Sequence, residues 1–468
     1  MTGPRIVLLV GILATGTAVE TAYQVRGHIG VGPFGWRLVG GKFFGPHHAF
    51  EERREQALEA GASVAVENSF GDVAVTGGDP GRVEIVLRKD VYIGSEAKAR
   101  AFAERITLQA ERTRGRLRVG TNREELEREG DAFDVGFETH FELRVPPGTP
   151  VEITGAHGRA EVDDAGATSI DNSHGDVRAR RVSGARVVSR HGNVELLGVA
   201  GDSHADVRHG NVTLRDAVGN VQVVSEHGAV STERTGALAV ELKHGDLKAE
   251  VVGGQLRVRG EHAGVDARKV SGGAEVESSY EDTSLEDVAG EARVTVTHGG
   301  IRLARVSGRV VAESSFGDTR LEDVAGEAVV TVTHGGIRAA RLDSGLRARA
   351  EGDNIVLDGF RGVVQAEARR GGVHLTPDGP LQSAVNASAS YGNVRLRVPD
   401  GSAFELLAEV DRGDLRVTLP GLQVSERNAN QLSGRLGAGG PRIVLRAEQG
   451  DVTVADSFPE GTSRAADE

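Results

Sequence analysis

Nine of the fifteen histidines fall into one repeating slot, in which a ring is followed by Gly and then usually by Asp, Asn or Gly, with variants at His262 and Tyr280. They are His157, His174, His191, His209, His227, His244, His262, His298 and His334, while Phe70, Tyr280, Phe316 and Tyr391 hold the same slot in other copies. Imidazoles at fixed spacing could ligate zinc or nickel through their neutral nitrogens. Neither Phe nor Tyr replaces an imidazole in that role, and a planar ring is all that the slot demands. The pattern predicts a stacked ring column at one corner of a repeat, in the inward phase that His298 shares with Val294 and Val296. No metal or cofactor site is assigned. Stacked imidazoles would repel one another when protonated, so acid is expected to weaken the body.

Three other patterns invite chemistry and yield structure instead. The adjacent carboxylates Glu286-Asp287 and Glu322-Asp323 have the form of an acid/base pair. Across successive repeats, however, the second position reads Lys269, Asp287, Arg305, Asp323, Arg341. That alternation predicts an exposed ion-pair ladder between neighbouring coils. The Asp or Asn after each slot glycine (Asp176, Asn193, Asn211, Asp246, Asp318) could be a calcium row, but Arg159, Ala229, Gly300 and Gly336 interrupt it, which leaves turn formation as its role. Thr295, Thr297, Thr331 and Thr333 face outward, yet Glu313 and Ser315 break the array. No phosphate-binding loop, dinucleotide fingerprint, nucleophile elbow or His-Glu-x-x-His motif occurs, so no catalytic residue is assigned.

The elements that carry these residues follow from the spacing, which is 17 or 18 throughout the run. With His298 as origin, Ile301, Leu303 and Val306 are apolar, Gly308 turns the chain, and Val310, Ala312 and Ser314 lead to Phe316. Each half alternates with period two, which predicts two short strands per coil and coil upon coil at ~4.8 Å. Fourteen or fifteen coils would form a rod on the order of 70 Å long. The segments 283–305 and 319–341 agree at 20 of 23 positions, an offset of two coils that marks a local duplication. The fold class is therefore all-β, a parallel β-solenoid.

The rest of the chain divides around that body. Arg5 precedes the apolar run Ile6 to Ala14 and the small residues Thr15-Gly16-Thr17-Ala18, so 1–22 reads as a signal peptide or an amino-terminal membrane anchor, with membrane association through residues 6–25 if it is uncleaved. Residues 23–60 read as a linker rich in Gly and aromatics that holds the sole Trp, Trp36. Residues 61–150 form a β cap with a short helix over 95–105, opened by Ser95 as N-cap; the charged stretch 123–134 reads as a solvated loop. The solenoid occupies 151–456, closed by the strand pair Ile443 to Leu445 and Val452 to Val454. The tail 457–468 reads as disordered.

Composition narrows the function classes. Aromatics are only 4% of residues against 65 Gly, which suits a thin core of Val, Ala and Leu. A net charge of −13 disfavours nucleic acid as a partner. The absence of cysteine removes disulfides and thiol chemistry.

The run Ala62 to Lys89, the helix at 95–105, the segment 141–153 with Pro146-Pro147-Gly148, and the x-Gly-Asp-Val coils together resemble the bacterial putative-adhesin family, a β-solenoid domain of unknown function often found behind a signal peptide or anchor. Many members carry Asn where this chain carries His, so the ring column departs from the family pattern. The resemblance implies an extracytoplasmic, non-catalytic adhesin or envelope scaffold whose partner is an unknown surface polymer or envelope protein. A polymer-forming cytoskeletal scaffold of the bactofilin kind and a β-helical carbohydrate-active enzyme are the alternatives.

Overall fold

A chain that coils with an 18-residue period must reverse direction twice per coil without pushing its neighbours apart. A computed structural model describes residues 46–129 and 135–457, with the backbone alone of 37–39 and 42–44. It is all-β, a parallel β-solenoid of coils of about 18 residues. The chain divides into two compact units, 1–210 and 211–468. The signal or anchor segment, residues 23–36, 40–41 and 45 of the expected linker, residues 130–134 and the tail beyond Ser457 lie outside the described residues.

In the first unit, after the short hairpin of β1 (Arg37–Val39) and β2 (Lys42–Phe44), the strands are β3 (His48–Ala57), β4 (Ser63–Phe70), β5 (Val73–Gly77) and β6 (Arg82–Tyr92). Helix α1 (Glu96–Arg105), β7 (Leu108–Thr113), β8 (Arg116–Thr121), α2 (Arg123–Arg128) and β9 (Gly136–Val145) follow, then β10 (Val151–His157) and β11 (Ala160–His174). Spatial order differs from chain order. Strand β4 lies between β8 and β10, and β5 lies between β9 and β11, all in parallel register. The first solenoid coil in sequence is thus β4-β5, well before Val151, and the β8-β9 coil lies outside it. Antiparallel strands cover that outer coil: β7 on β8, β6 on β9, and β3 on β6. Strand β3 falls where a linker was expected.

Helix α1 packs Ala99, Phe102 and Ala103 against Val91, Ile93 and Phe137. Ser95 occupies the N-cap position but its side chain makes no capping bond. The other end is held instead, because the buried Lys89 Nζ donates to the carbonyls of Ala103 (3.3 Å) and Ile106 (2.6 Å) and pairs with Glu52 at 2.7 Å. A cation there complements the negative end of the helix dipole. The charged stretch from 123 begins as helix α2 and not as a loop, since Arg123 is buried with its guanidinium 3.7 Å from the Phe137 ring centre and 5.0 Å from that of Phe70. Burial lowers its pKa to about 10, with Glu127 opposing the shift, so it stays charged at neutral pH.

The second unit shows the repeat at its most regular. Ile301–Val306 pairs with Thr319–Val324, and Val310–Phe316 with Ala328–His334, each residue opposite its counterpart one coil on. The apolar spacing of two and then three (Ile301, Leu303, Val306) has a backbone cause. Arg305 adopts φ 54°, drops out of the ladder and re-aims Val306 inward. Asp216, Arg234, Val251, Lys269, Asp287, Asp323 and Arg341 share that left-handed conformation, while Gly359 fills it with glycine. At the opposite corner Gly317 has φ 136°, and a methyl group there would meet the Gly299 carbonyl oxygen at 2.2 Å. The carbonyls at this corner are met from inside: Ser314 Oγ donates to Gly299 and Gly317, both at 3.3 Å.

The carboxyl end differs from expectation. Arg442–Gln449 and Val452–Ala455 do not close the stack; they slot between Val385–Tyr391 with Val394–Arg397 on one side and Phe404–Arg412 with Leu415–Thr418 on the other. Placed there, their backbone donors and acceptors are paired on both sides, whereas a closing position would leave one row open. Gln431–Leu436 and then Leu422–Arg427 continue the sheet beyond Phe404–Arg412 as antiparallel strands.

Two substitutions test the corner geometry by chemical denaturation. Val251→Gly relieves a β-branched residue at φ 61° and should stabilise the fold by about 1 kcal/mol; a loss would mean that Val251 packing outweighs its strain. Gly317→Ala should cost about 3 kcal/mol, since the added methyl meets backbone that cannot yield.

Candidate functional site

The rings stack as the repeat requires. In the first unit Phe70, His157, His174, His191 and His209 lie face to face, with centroids 4.7 to 4.9 Å apart. In the second, the run from His227 through His244, His262, Tyr280, His298 and Phe316 to His334 has steps of 4.5 to 5.0 Å. Their predicted inward orientation is wrong. Most of these rings are exposed, Tyr280 by 54% and Phe316 by 44%. The strand bends after the position two residues earlier, where Asn172, Ser278 or Ser314 points into the core. The bend lays each ring over the corner, so that its faces are covered by neighbouring coils and its edge meets water.

Ring-on-ring contact has an electrostatic cost. His191 is pushed below its ordinary pKa, first by desolvation and then by His174 and His209. His374 is lowered mainly by burial, with Arg395 adding to it. His140 behaves oppositely. Burial disfavours its charged form, but hydrogen bonds to Asp90 and Glu138 outweigh that and raise it to about 9, with Nε2 3.2 Å from Asp90 and 3.6 Å from Glu138. The Asp72 backbone N–H donates to its Nδ1 at 3.1 Å and so opposes a second proton.

The row after the slot glycine is structural. Asp176 Oδ1 accepts the Asn193 N–H (2.9 Å), Asp246 that of Gly264 (3.1 Å), Asp282 that of Gly300 (2.7 Å) and Asp318 that of Gly336 (2.8 Å). These oxygens bind the next coil's backbone, which accounts for their periodicity without calcium. The carboxylate pairs are likewise committed: Arg305 meets both Glu286 and Asp287, and Arg341 meets both Glu322 and Asp323. Lone exposed pairs contribute little, and here their repetition lines up exposed charge along the coils. Among the described residues no group of three or more acidic or histidine side chains is arranged to hold a metal ion.

Residues 230–455 match the family model described as Toastrack DUF4097. The Toastrack match begins at Val230 although the same coil pattern is already present in the first unit. Two solved structures align with the chain at low similarity. A putative cell adhesion protein from Clostridium sporogenes is 9% identical, with 87% of this chain and 99% of that chain covered and a TM-score of 0.17. A putative adhesin from Parabacteroides merdae is 11% identical, with 74% and 95% covered and a TM-score of 0.15. No curated protein matches.

The sign of the acid response follows from the lowered histidines. Below the ordinary pKa of 6.5 the unfolded chain takes up protons that folded His191 and His374 refuse, so their neutral-form stability is lost as pH falls from that point. His140 acts in the opposite sense, its contribution being complete below 6.5 and lost as pH rises through about 9. The difference between parent and variant therefore isolates the column. His191→Phe keeps the ring and removes the charge, and its unfolding temperature should fall less than the parent's between about pH 7.5 and about pH 5. Equal falls would show that the stacked imidazoles do not set the response.

Proposed function

We propose that this protein is a non-catalytic, extracytoplasmic adhesin or envelope scaffold that displays a rigid β-solenoid surface to a partner. The observation that carries this reading is the surface itself: its charges sit in fixed columns, coil above coil, as in the repeated Arg305 and Arg341 clusters. Such a surface suits recognition of an extended partner better than conversion of a small substrate, which needs groups that converge. The Toastrack match and the resemblance to the adhesin family support the same class.

The strand ends bear on the alternative of a polymer-forming scaffold. Outermost coils that would template another copy are instead continued by antiparallel strands, β7 on β8 and Gln431–Leu436 on Phe404–Arg412. Antiparallel additions interrupt the parallel stacking that a filament would propagate. Among the described residues no helix is long and apolar enough to cross a membrane.

Fractionation of the native host, with intact-mass analysis of the amino terminus, tests location. The expected result is an envelope or secreted protein, either beginning near Val19 or full-length and membrane-held. A full-length chain free in the cytoplasm would sink the extracytoplasmic reading. Analytical ultracentrifugation should show a discrete species at all concentrations, and concentration-dependent filaments would favour the polymer-forming alternative instead.

A further inference from the structure

Within the second unit one column sets three like charges in succession, unlike the alternating row from Lys269 to Arg341. Arg302 lies opposite Arg320, and Arg320 opposite Arg338, in three consecutive coils, which places the guanidinium stems about 4.8 Å apart along the ladder. Like charges in direct register are unfavourable. In the first unit the equivalent column reads Glu161, Arg178, Glu195, and Arg178 pairs with both acids. Among the described residues no carboxylate pairs with Arg302 or Arg320. The nearest acids one row over are occupied, Glu286 by Arg305 and Glu322 by Arg341, and the intervening coils carry Ala304 and Ala340 in that row.

The duplication sharpens the point. The two copies differ only at Ser284/Arg320, Arg293/Val329 and Leu303/Ala339. Copying alone would leave Ser between Arg302 and Arg338; the first of these differences sets a third guanidinium between them. On a chain of net charge −13, this is a local concentration of positive charge. It borders an open groove of about 290 Å³ lined also by Asp282, Asp318 and Ser284.

We propose that Arg302, Arg320 and Arg338 form the docking row for a linear acidic polysaccharide, a partner class that deepens the adhesin reading and rests on it. Guanidinium groups bind carboxylate or sulfate through two parallel N–H donors. Asp282 and Asp318 each give Oδ1 to a backbone N–H, and their second oxygens can only accept hydrogen bonds from the partner. A polymer bearing both anionic groups and hydroxyl donors satisfies this mixed row. A DNA backbone supplies anions without the hydroxyl donors that these carboxylate oxygens can accept from.

The full chain should bind polygalacturonate or dextran sulfate and not neutral dextran, with affinity falling as salt rises. Binding to one acidic polymer alone supports the proposal and identifies the acidic group. Arg320→Ser, which restores the residue of the first copy, should weaken binding about tenfold or more while leaving the unfolding temperature equal or higher, because it removes repulsion. Unchanged binding by both R320S and an R302S/R338S variant would overturn the row, as would a drop in R320S unfolding temperature or duplex DNA bound as tightly as the polysaccharides. If the parent ignores both acidic polymers yet is retained by envelope material from its host, the polysaccharide inference fails and the adhesin reading stands. Retention by neither overturns both.

Discussion

The stacking of one coil's backbone directly on the next is the constraint from which the other features descend. At the ring corner the approach is so close that a carbonyl oxygen occupies the place of a side chain, as Gly299 does beneath Gly317. Once backbone sits on backbone at that distance, register cannot drift by a residue without collision. A column then becomes a continuous object: rings over rings, Asp282 and Asp318 over the backbone they bind, and, from Asp287 to Arg305 and Asp323 to Arg341, charge over opposite charge. The core needs no bulk to support this, and Val, Ala and Leu fill it.

Much of this was legible because the repeat projects three-dimensional neighbours onto a fixed sequence offset. The ring slot, the glycine corners and the Lys269 to Arg341 alternation all read off at 17 or 18 residues. What escaped was information outside that period. The inward phase assigned to His298 extended strict alternation one step past the point where the strand bends. Left-handed Arg305 was also encoded, in the three-residue step from Leu303 to Val306, but charged residues give no warning of positive φ as glycine would. Strand β3 and helix α2 occur once each, so no repeat announced them; Arg123 was read as solvated although its aliphatic stem and cation pack between aromatic rings.

The functional surface was less legible for a different reason. Alternation of charge identifies a ladder, and the eye then passes over a column of three like charges. The arginines at 302, 320 and 338 become conspicuous only when placed opposite one another and beside acids already bound to Arg305 and Arg341. The site is an exception to the repeat, written in the same period as the rule.

The threading of the carboxyl-terminal coil has a mechanical side. Because Arg442–Gln449 is held between Val385–Tyr391 and Phe404–Arg412, a tensile load applied to the chain beyond Ala455 would meet two ladders on the same segment. A coil on the outer face could peel away along one seam, bond by bond. This one would have to be drawn out from between its neighbours against both seams, so an attachment point that follows it in the chain would transmit force into the body before the end of the stack unzipped.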